Sequence, residues 1–262
     1  LRVPESYDAR LVDVVSVLFG RTLKVRYRGS LLGILWSAIS PLVTASVYAA
    51  IFGRTFSPYF GNSLVRYAAA VYIGLALAGL FVAATTQALP SIVQSSGLLN
   101  KVRIPFVAFP LSVVAAYGFQ QAVGTLPVMV VLALVVNHNP LHVLALALPL
   151  GGLAMLTIGI ALLVSGADVY FRDVAYLYDL AMFLVMLTTP VFYPAAIVPA
   201  GVLRLLEVNP LFSIMESTRT LILTDGWPPL HELALTLIEG AVVLAAGLAG
   251  FRAMTPHFME EL

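Results

Sequence analysis

Charge is scarce in this chain. Of its 262 residues only 10% are Asp, Glu, Lys or Arg, against about 25% in ordinary globular domains. A soluble domain of this length could bury a large core but would still need a charged surface. The composition therefore excludes one and points to an integral membrane protein. Cysteine is absent, which excludes disulfides and thiolate metal sites and says little about compartment. The histidines, His138, His142, His231 and His257, are scattered and show no metal spacing such as H-E-x-x-H. Net charge is +1, so there is no global basic field for nucleic acid. No G-x-x-x-x-G-K-[ST] stretch occurs, so the chain lacks the phosphate-cradling loop of an ATP-hydrolysing subunit. Residues 1–30 are charged and mixed and do not read as a cleavable signal.

What is present is apolar sequence in long runs, 60% hydrophobic overall with a mean hydropathy of +0.97. A helix needs about 20 apolar residues to cross the hydrocarbon core. Six runs answer: Leu31–Phe52, Tyr67–Leu89, Phe106–Val136, Leu141–Gly166, a fifth from Tyr176 to near Thr189, and Leu233–Phe251, which holds Glu239. Pro110 and Pro127 are expected to bend the third, and Pro190 and Pro194 to break the fifth. Residues 194–224 predict short re-entrant helices on the outer side, packed in protein, because irregular backbone is not stable against lipid. The expected fold is one all-α integral membrane domain over residues 1–262. It has an N-terminal interfacial amphipathic helix (1–30), six transmembrane helices (31–252) and a short tail (253–262). Six crossings put both termini on one side, which collects ten of the Lys and Arg residues; the other side holds Arg54, Arg66, Arg204 and Arg219. The positive-inside rule makes the ten-residue side cytoplasmic.

The densest charge precedes the first run. Arg21, Lys24, Arg26 and Arg28 fall within eight positions. On a helical wheel Leu11, Val15, Leu18, Thr22 and Val25 share one line, and Arg10, Arg21, Lys24 and Arg28 share another flank. This predicts an interfacial helix that turns inward near Gly29–Ser30. Arg26 sits apart, near the apolar edge, where it can snorkel towards headgroups. Two readings stand side by side: a topology anchor, or a site for an anionic ligand, since arginine forks match phosphate oxygens.

Four stretches carry a family resemblance. "LKVRYRGSLLGILWSAISPL" resembles the opening of membrane subunits of the ABC-2 class of ABC transporters, in particular the polysaccharide, O-antigen and teichoic-acid exporters. "LLNKVRIPFVAFPLS", "DVYFRDVAYL" and "TPVFYPAAIVP" followed by "LLEVNPL" resemble later segments of that family, in the same order. The resemblance implies a homodimer in the bacterial inner membrane, working with two copies of a separate ATPase that would hold the ATP and Mg. The implied cargo is a polyprenyl-diphosphate-linked glycan moved outward.

On that reading Arg21, Lys24, Arg26 and Arg28 engage the lipid diphosphate. "SIVQSSGLLNKVR" resembles the segment that docks on the ATPase, through Leu98, Leu99, Lys101, Val102 and Arg103; the alternative is an ordinary cytoplasmic loop, although its apolar residues fit a partner better than solvent. Ser37, Ser40, Thr44 and Tyr48 form a polar stripe on the first span, and Met182, Met186 and Thr189 follow matching spacing on the fifth. Hydroxyl and aromatic groups of this kind suit a sugar conduit, or equally helix–helix packing. Pro190, Phe192, Tyr193 and Pro194 suit an outer gate, with interface anchoring of Tyr193 as the rival. Asp168 and Arg172 read as a local ion pair. Outside this family, a membrane-embedded glycan enzyme would need clustered acids, for which Asp168 and Asp173 are the one close pair and form no D-x-D, and a secondary transporter would need intramembrane charges, for which only Glu239 answers. An ABC-2 exporter of a drug, haem or lipid stays open.

Overall fold

A computed structural model describes residues 7–99, 104–137 and 139–261. Helices account for its regular structure, with no strand among the described residues. Helix α1 (Tyr7–Tyr27) ends where Gly29 takes φ +76°, a left-handed turn that glycine makes without a Cβ clash. The Ser30 N–H closes this turn on the Tyr27 carbonyl at 3.1 Å. Gly33 is also left-handed, so the first membrane helix, α2 (Trp36–Phe56), starts later than the apolar run itself. Helix α3 (Leu64–Ala88) is capped by Ser63, whose hydroxyl accepts the Arg66 N–H at 3.3 Å. A series of short turns and α4 (Ser96–Leu99) follow it.

The third apolar run is α5 (Ala108–Gln120), a π turn at Gln121–Thr125 and α6 (Leu126–Val136). The two prolines act differently here. Pro110 lies in the first turn of α5, where a missing N–H costs no helical bond. Pro127 has no N–H to give the carbonyl four residues back, and the π turn directly before it absorbs the mismatch. Helices α7 (Pro140–Ala145) and α8 (Ala147–Tyr170) form the fourth run. Asn139, directly before Pro140, accepts the Leu141 N–H at 3.0 Å. Asn209, directly before Pro210, accepts that of Leu211 at 3.0 Å, so α7 and α11 share one capping device.

Helix α9 (Val174–Thr188) has 15 residues. At 1.5 Å per residue it covers about 22 Å, short of the ~30 Å hydrocarbon core. Its end is set by Pro190, which forces Thr189 into extended geometry (ψ 125°). Helices α10 (Ala200–Leu206), α11 (Pro210–Leu223), α12 (Leu230–Met254) and α13 (Phe258–Glu261) complete the chain. Five stretches are long and apolar enough to cross a membrane: Gly33–Phe60, Leu64–Ser91, Ala108–Val136, Pro140–Tyr170 and Leu230–Glu260.

Helix α3 is the centre of the bundle, with Tyr67, Tyr72, Ile73 and Leu77 all within 1% of full burial. Helices α8 and α12 pack backbone to backbone along glycines spaced by seven. A Cβ on Gly240 would lie 2.5 Å from the Gly152 carbonyl oxygen, and one on Gly159 would lie 2.5 Å from that of Val243. Small residues permit this close approach where lipid offers no hydrophobic drive between helices. At one end of the bundle Ile92, Phe109, Leu162, Phe251 and Phe258 form a separate cluster, against which Leu18 of α1 packs. At the other end α11 inserts between α3, α6, α8 and α12. The outward faces of α2, α9 and α12 are apolar, with Val47, Ile51, Leu180, Phe183, Ile238 and Val242 exposed.

Candidate functional site

Two adjoining cavities open where α1 leans on α5. Phe19 meets Phe119 edge-on there at 5.7 Å. The first cavity, about 520 Å³, is walled by Leu18, Arg21 and Thr22 of α1, Gln87 of α3, Ser91, Gln94 and Ser95 of the following turns, and Ser112 of α5. The second, about 480 Å³, is walled by Tyr27, by Ser37, Ser40 and Thr44 of α2, by Leu80 and Ala83 of α3, and by Gln120, Gln121 and Thr125 of the π turn. Both volumes fall in the ~300–1,000 Å³ range of small-molecule sites. Arg26 and Tyr117 line both cavities. The Arg26 guanidinium lies 4.2 Å from the centroid of the Tyr117 ring, a cation–π contact that holds the charge at the junction.

The α1 wheel holds for Leu11, Val15, Leu18 and Thr22, which are half-buried, whereas Val25 is 71% exposed. All four clustered cations are exposed; Arg21 and Arg26 line the cavities, and Lys24 and Arg28 line neither. Burial pushes the Tyr27 phenol above its ordinary range, opposed by the Arg26 charge next to it.

The stripe on α2 divides. Ser37, Ser40 and Thr44 line the second cavity, although the Ser37 hydroxyl is spent on the Ile34 carbonyl at 2.6 Å. Tyr48 lies beyond it and stacks on Phe192 (centroids 4.1 Å, planes 15° apart). The fifth-run residues stand elsewhere. Met182 is buried in the main core, with Met186 packed against it. The buried Thr189 hydroxyl donates to the Val185 carbonyl at 2.7 Å and accepts from Asn209 Nδ2 at 2.9 Å. The structure thus brings three hydroxyl residues of α2 to Arg26, and leaves Met182, Met186 and Thr189 off both cavities.

Pro190 and Pro194 are buried in the loop after α9. Tyr67 donates its hydroxyl to the Phe192 carbonyl at 2.9 Å, and Tyr193 donates to the Leu187 carbonyl at 3.3 Å. Tyr48, Phe52, Phe56, Tyr67 and Phe60 continue from Phe192 as a row of ring contacts at this end. In the expected docking segment, Leu98 is half-buried against the Ile92–Phe109 cluster. For Leu99 only the helical backbone is described; Lys101, Val102 and Arg103 lie outside the described residues. Asp168 is buried in the last turn of α8 and Arg172 is exposed in the turn after it. Glu239 is half-buried, with one carboxylate oxygen lacking an internal partner.

Two features were not read from the sequence. Arg219, counted above among the cations of the other side, is 5% exposed. It donates to the Ala70 carbonyl at 3.1 and 3.2 Å and to the Val191 carbonyl at 2.9 Å, and pairs with Glu216 at 2.8 Å. The signal available was a Glu–Arg pair at i, i+3 inside an otherwise uncharged helix. The second feature is Gln120 and Gln121, which nothing in an apolar run marked as a pair facing one cavity.

Comparison with known proteins gives this arrangement its setting. Two proteins of Klebsiella pneumoniae, each named O-antigen export system permease protein RfbA, are 28% identical over 254 residues, covering 96% of this chain and 96% of theirs. A protein of the same name from Myxococcus xanthus is 28% identical over 261 residues, covering 98% of this chain and 96% of its own. The family model described as ABC-2 type transporter matches residues 13–223, most of the chain. With its apolar helices and lack of a nucleotide-binding loop, this membrane protein belongs to the ABC-2 type transporter family.

Proposed function

We propose that this chain is the membrane-spanning permease of an ATP-driven exporter that moves a polyprenyl-diphosphate-linked polysaccharide, of the O-antigen or teichoic-acid kind, across the bacterial inner membrane. The observation that carries the reading is the junction at Arg26. A cavity rimmed by Arg21 and Arg26 adjoins there one walled by hydroxyls and amides, the two sharing Arg26 and Tyr117. A lipid-linked glycan has the same division, an anionic diphosphate followed by sugar. Arginine forks take the diphosphate oxygens as bidentate, charge-assisted partners, with Lys24 and Arg28 adding charge nearby. The names of the three relatives support the cargo.

In this reading the chain works as a homodimer with two copies of a cytoplasmic ATPase, which binds ATP and Mg. The segment from Ser91 to Arg103 meets that ATPase through Leu98, Leu99, Lys101, Val102 and Arg103. Both termini are cytoplasmic, and α9 with the loop after it completes a sixth crossing. Helices α10 and α11 return into the outer half of the bundle, and Pro190, Phe192, Tyr193 and Pro194 form the outer gate. Helix α11 fits this role because its backbone is enclosed by protein rather than by lipid. Ser37, Ser40, Thr44 and Tyr48 line the path at the start, and Met182, Met186 and Thr189 join it when the bundle opens.

The test is the double substitution Arg21→Gln with Arg26→Gln, made in cells that depend on the chain for surface glycan. Surface glycan falls at least about tenfold, as expected for the loss of two charge-assisted contacts, while the amount of inserted protein stays normal. Normal surface glycan at normal insertion overturns the reading.

A further inference from the structure

Past the end of α12 at Met254, a 3₁₀ turn over Thr255–His257 leads the chain into α13. Pro256 in that turn has no N–H with which to continue the helix. Pro256, His257, Met259 and Glu260 are exposed, yet Phe258 among them is wholly buried. Its ring meets three others, with centroids 5.2 Å from Phe106, 5.6 Å from Phe251 and 6.0 Å from Tyr170. The first two contacts are edge-on and the third is tilted, arrangements that aromatic pairs favour.

Closing the end of α12 does not account for this ring. The Tyr170 hydroxyl already donates to the Met254 carbonyl at 2.7 Å, and the Thr255 hydroxyl to the Phe251 carbonyl at 2.7 Å. The last turn of α12 is therefore satisfied and tied to the end of α8 without Phe258. What Phe258 adds is its contact with Phe106, which belongs to neither helix but to the connection between α3 and α5.

That connection rests on the same cluster from both sides. Ile92, Val93 and Leu98 reach it on the way out from α3, and Ile104, Phe106 and Val107 on the way into α5. Phe258 stands between the second group and the ends of α8 and α12. A close-packed interior compresses little, and chains of packed side chains carry displacement from one element to the next. Without the ring, a void would remain into which the connection could shift while α8 and α12 stayed in place.

We propose that Phe258 is a positioning residue for energy coupling. It holds the connection between α3 and α5 against the ends of α8 and α12, so that load placed on the connection by the ATPase reaches the spans. The inference rests on the reading above that this connection meets the ATPase.

The experiment compares Phe258→Ala with wild type in the permease–ATPase complex. It reads glycan moved per ATP hydrolysed in vesicles, and amide hydrogen exchange of the same complex. Phe258→Ala loses about fivefold in glycan per ATP, mid-range for residues that link two sites, while hydrolysis itself stays within about twofold. Exchange quickens in residues 93–99 and 104–107 and is unchanged in α11 at the other end of the bundle. Phe258→Leu, which keeps an apolar side chain in the site, recovers most of the loss. Phe106→Ala reproduces the loss, and the double variant is no worse than either single one, as expected for two residues that act through one contact. Met259→Ala, on the exposed neighbour, behaves as wild type. If Phe258→Ala does not assemble, Phe258→Leu, Phe106→Leu and their combination complete the same cycle with smaller changes. An unchanged yield per ATP, an equal loss of hydrolysis and transport, or exchange that rises in α11 as much as in the connection overturns the proposal. If the wild-type complex moves no glycan, the proposed function falls and exchange decides the positioning role by itself. Quickening confined to the connection then upholds it, and unchanged exchange there overturns it.

Discussion

Replacing Arg219 by methionine should unfasten α11 from the rest of the bundle. The guanidinium donates to Ala70 in α3 at 3.1 and 3.2 Å and to Val191 in the loop after α9 at 2.9 Å, and pairs with Glu216 at 2.8 Å. Ala70 lies inside α3, so its carbonyl keeps a helical bond when the arginine goes. The Val191 carbonyl and the Glu216 carboxylate lose their charged partner outright. Hydrogen bonds to a charged group contribute about 1.5–3 kcal/mol each, and breaking a buried pair costs about 3–5 kcal/mol. Glu216 is 36% exposed and partly resolvates, which places the loss near the lower bound, about 3 kcal/mol. At about 2–4 °C per kcal/mol for a chain of this size, the apparent Tm falls by about 6–12 °C. The assay is thermal unfolding of the purified protein in detergent, read by the fraction left monodisperse after heating. Arg219→Lys keeps the charge but cannot fork between two carbonyls and a carboxylate, so it lies between wild type and Arg219→Met. Glu216→Gln, which keeps an acceptor, shifts Tm by less than about 3 °C. An Arg219→Met protein within 2 °C of wild type, or an Arg219→Lys protein no better than it, refutes the clasp.

Two more predictions address packing. Gly159→Val drives a side chain into the Val243 and Leu244 backbone of α12 and lowers stability by at least about 1–3 kcal/mol. Gly201→Ala, with open space around it, leaves the melting profile unchanged; an equal loss from both would mean that α8 and α12 do not pack through their glycines. The Asn137 amide donates to the Leu221 carbonyl at 2.9 Å and the Thr224 carbonyl at 2.6 Å. Asn137→Asp, which sets a carboxylate against two carbonyl oxygens, is therefore more damaging than Asn137→Ala. The comparison is made by limited proteolysis in the loop after α11, and the reverse order counts against the contact.

The membrane class and the rough positions of the helices were legible because lipid leaves few solutions. Long uncharged runs must be helices, and proline marks where they stop. The reading went astray where one backbone detail depends on several elements. Pro110 and Pro127 look alike in sequence, yet one sits in a first turn and the other follows a π turn. The fifth run did end where its proline predicts, since Thr189 is extended before Pro190 and α9 stops at Thr188. In the candidate site the hydroxyl stripe at Ser37, Ser40 and Thr44 followed from helical spacing alone. Gln120 and Gln121 did not, since neighbours on an α-helical wheel diverge by about 100° and nothing in the apolar run marks them as lining one cavity.

Arg26 shows why charge near a membrane helix needs geometry to interpret. On the wheel it was the exception, separated from Arg21, Lys24 and Arg28 and placed for snorkelling. In the bundle it is the cation at the junction of both cavities, held over Tyr117, whereas Lys24 and Arg28 on the more strongly basic flank point away from them. A topology anchor requires only that a cation stay in water, which any of the four satisfies. Arg26 is also exposed, but its guanidinium is fixed over the Tyr117 ring beside the Tyr27 phenol, a placement that an anchor does not require. Arg219 makes the converse case. It was counted among the cations of the other side, but its carbonyl and carboxylate partners already occupy its donors. Setting it aside sharpens the asymmetry of the remaining Lys and Arg residues and strengthens the expectation that the Arg26 end faces the cytoplasm. Arg219 is thus tied to carbonyls and a carboxylate within the fold, whereas Arg26 lies exposed over Tyr117 at both cavities, which is why the proposed anion site rests on Arg26.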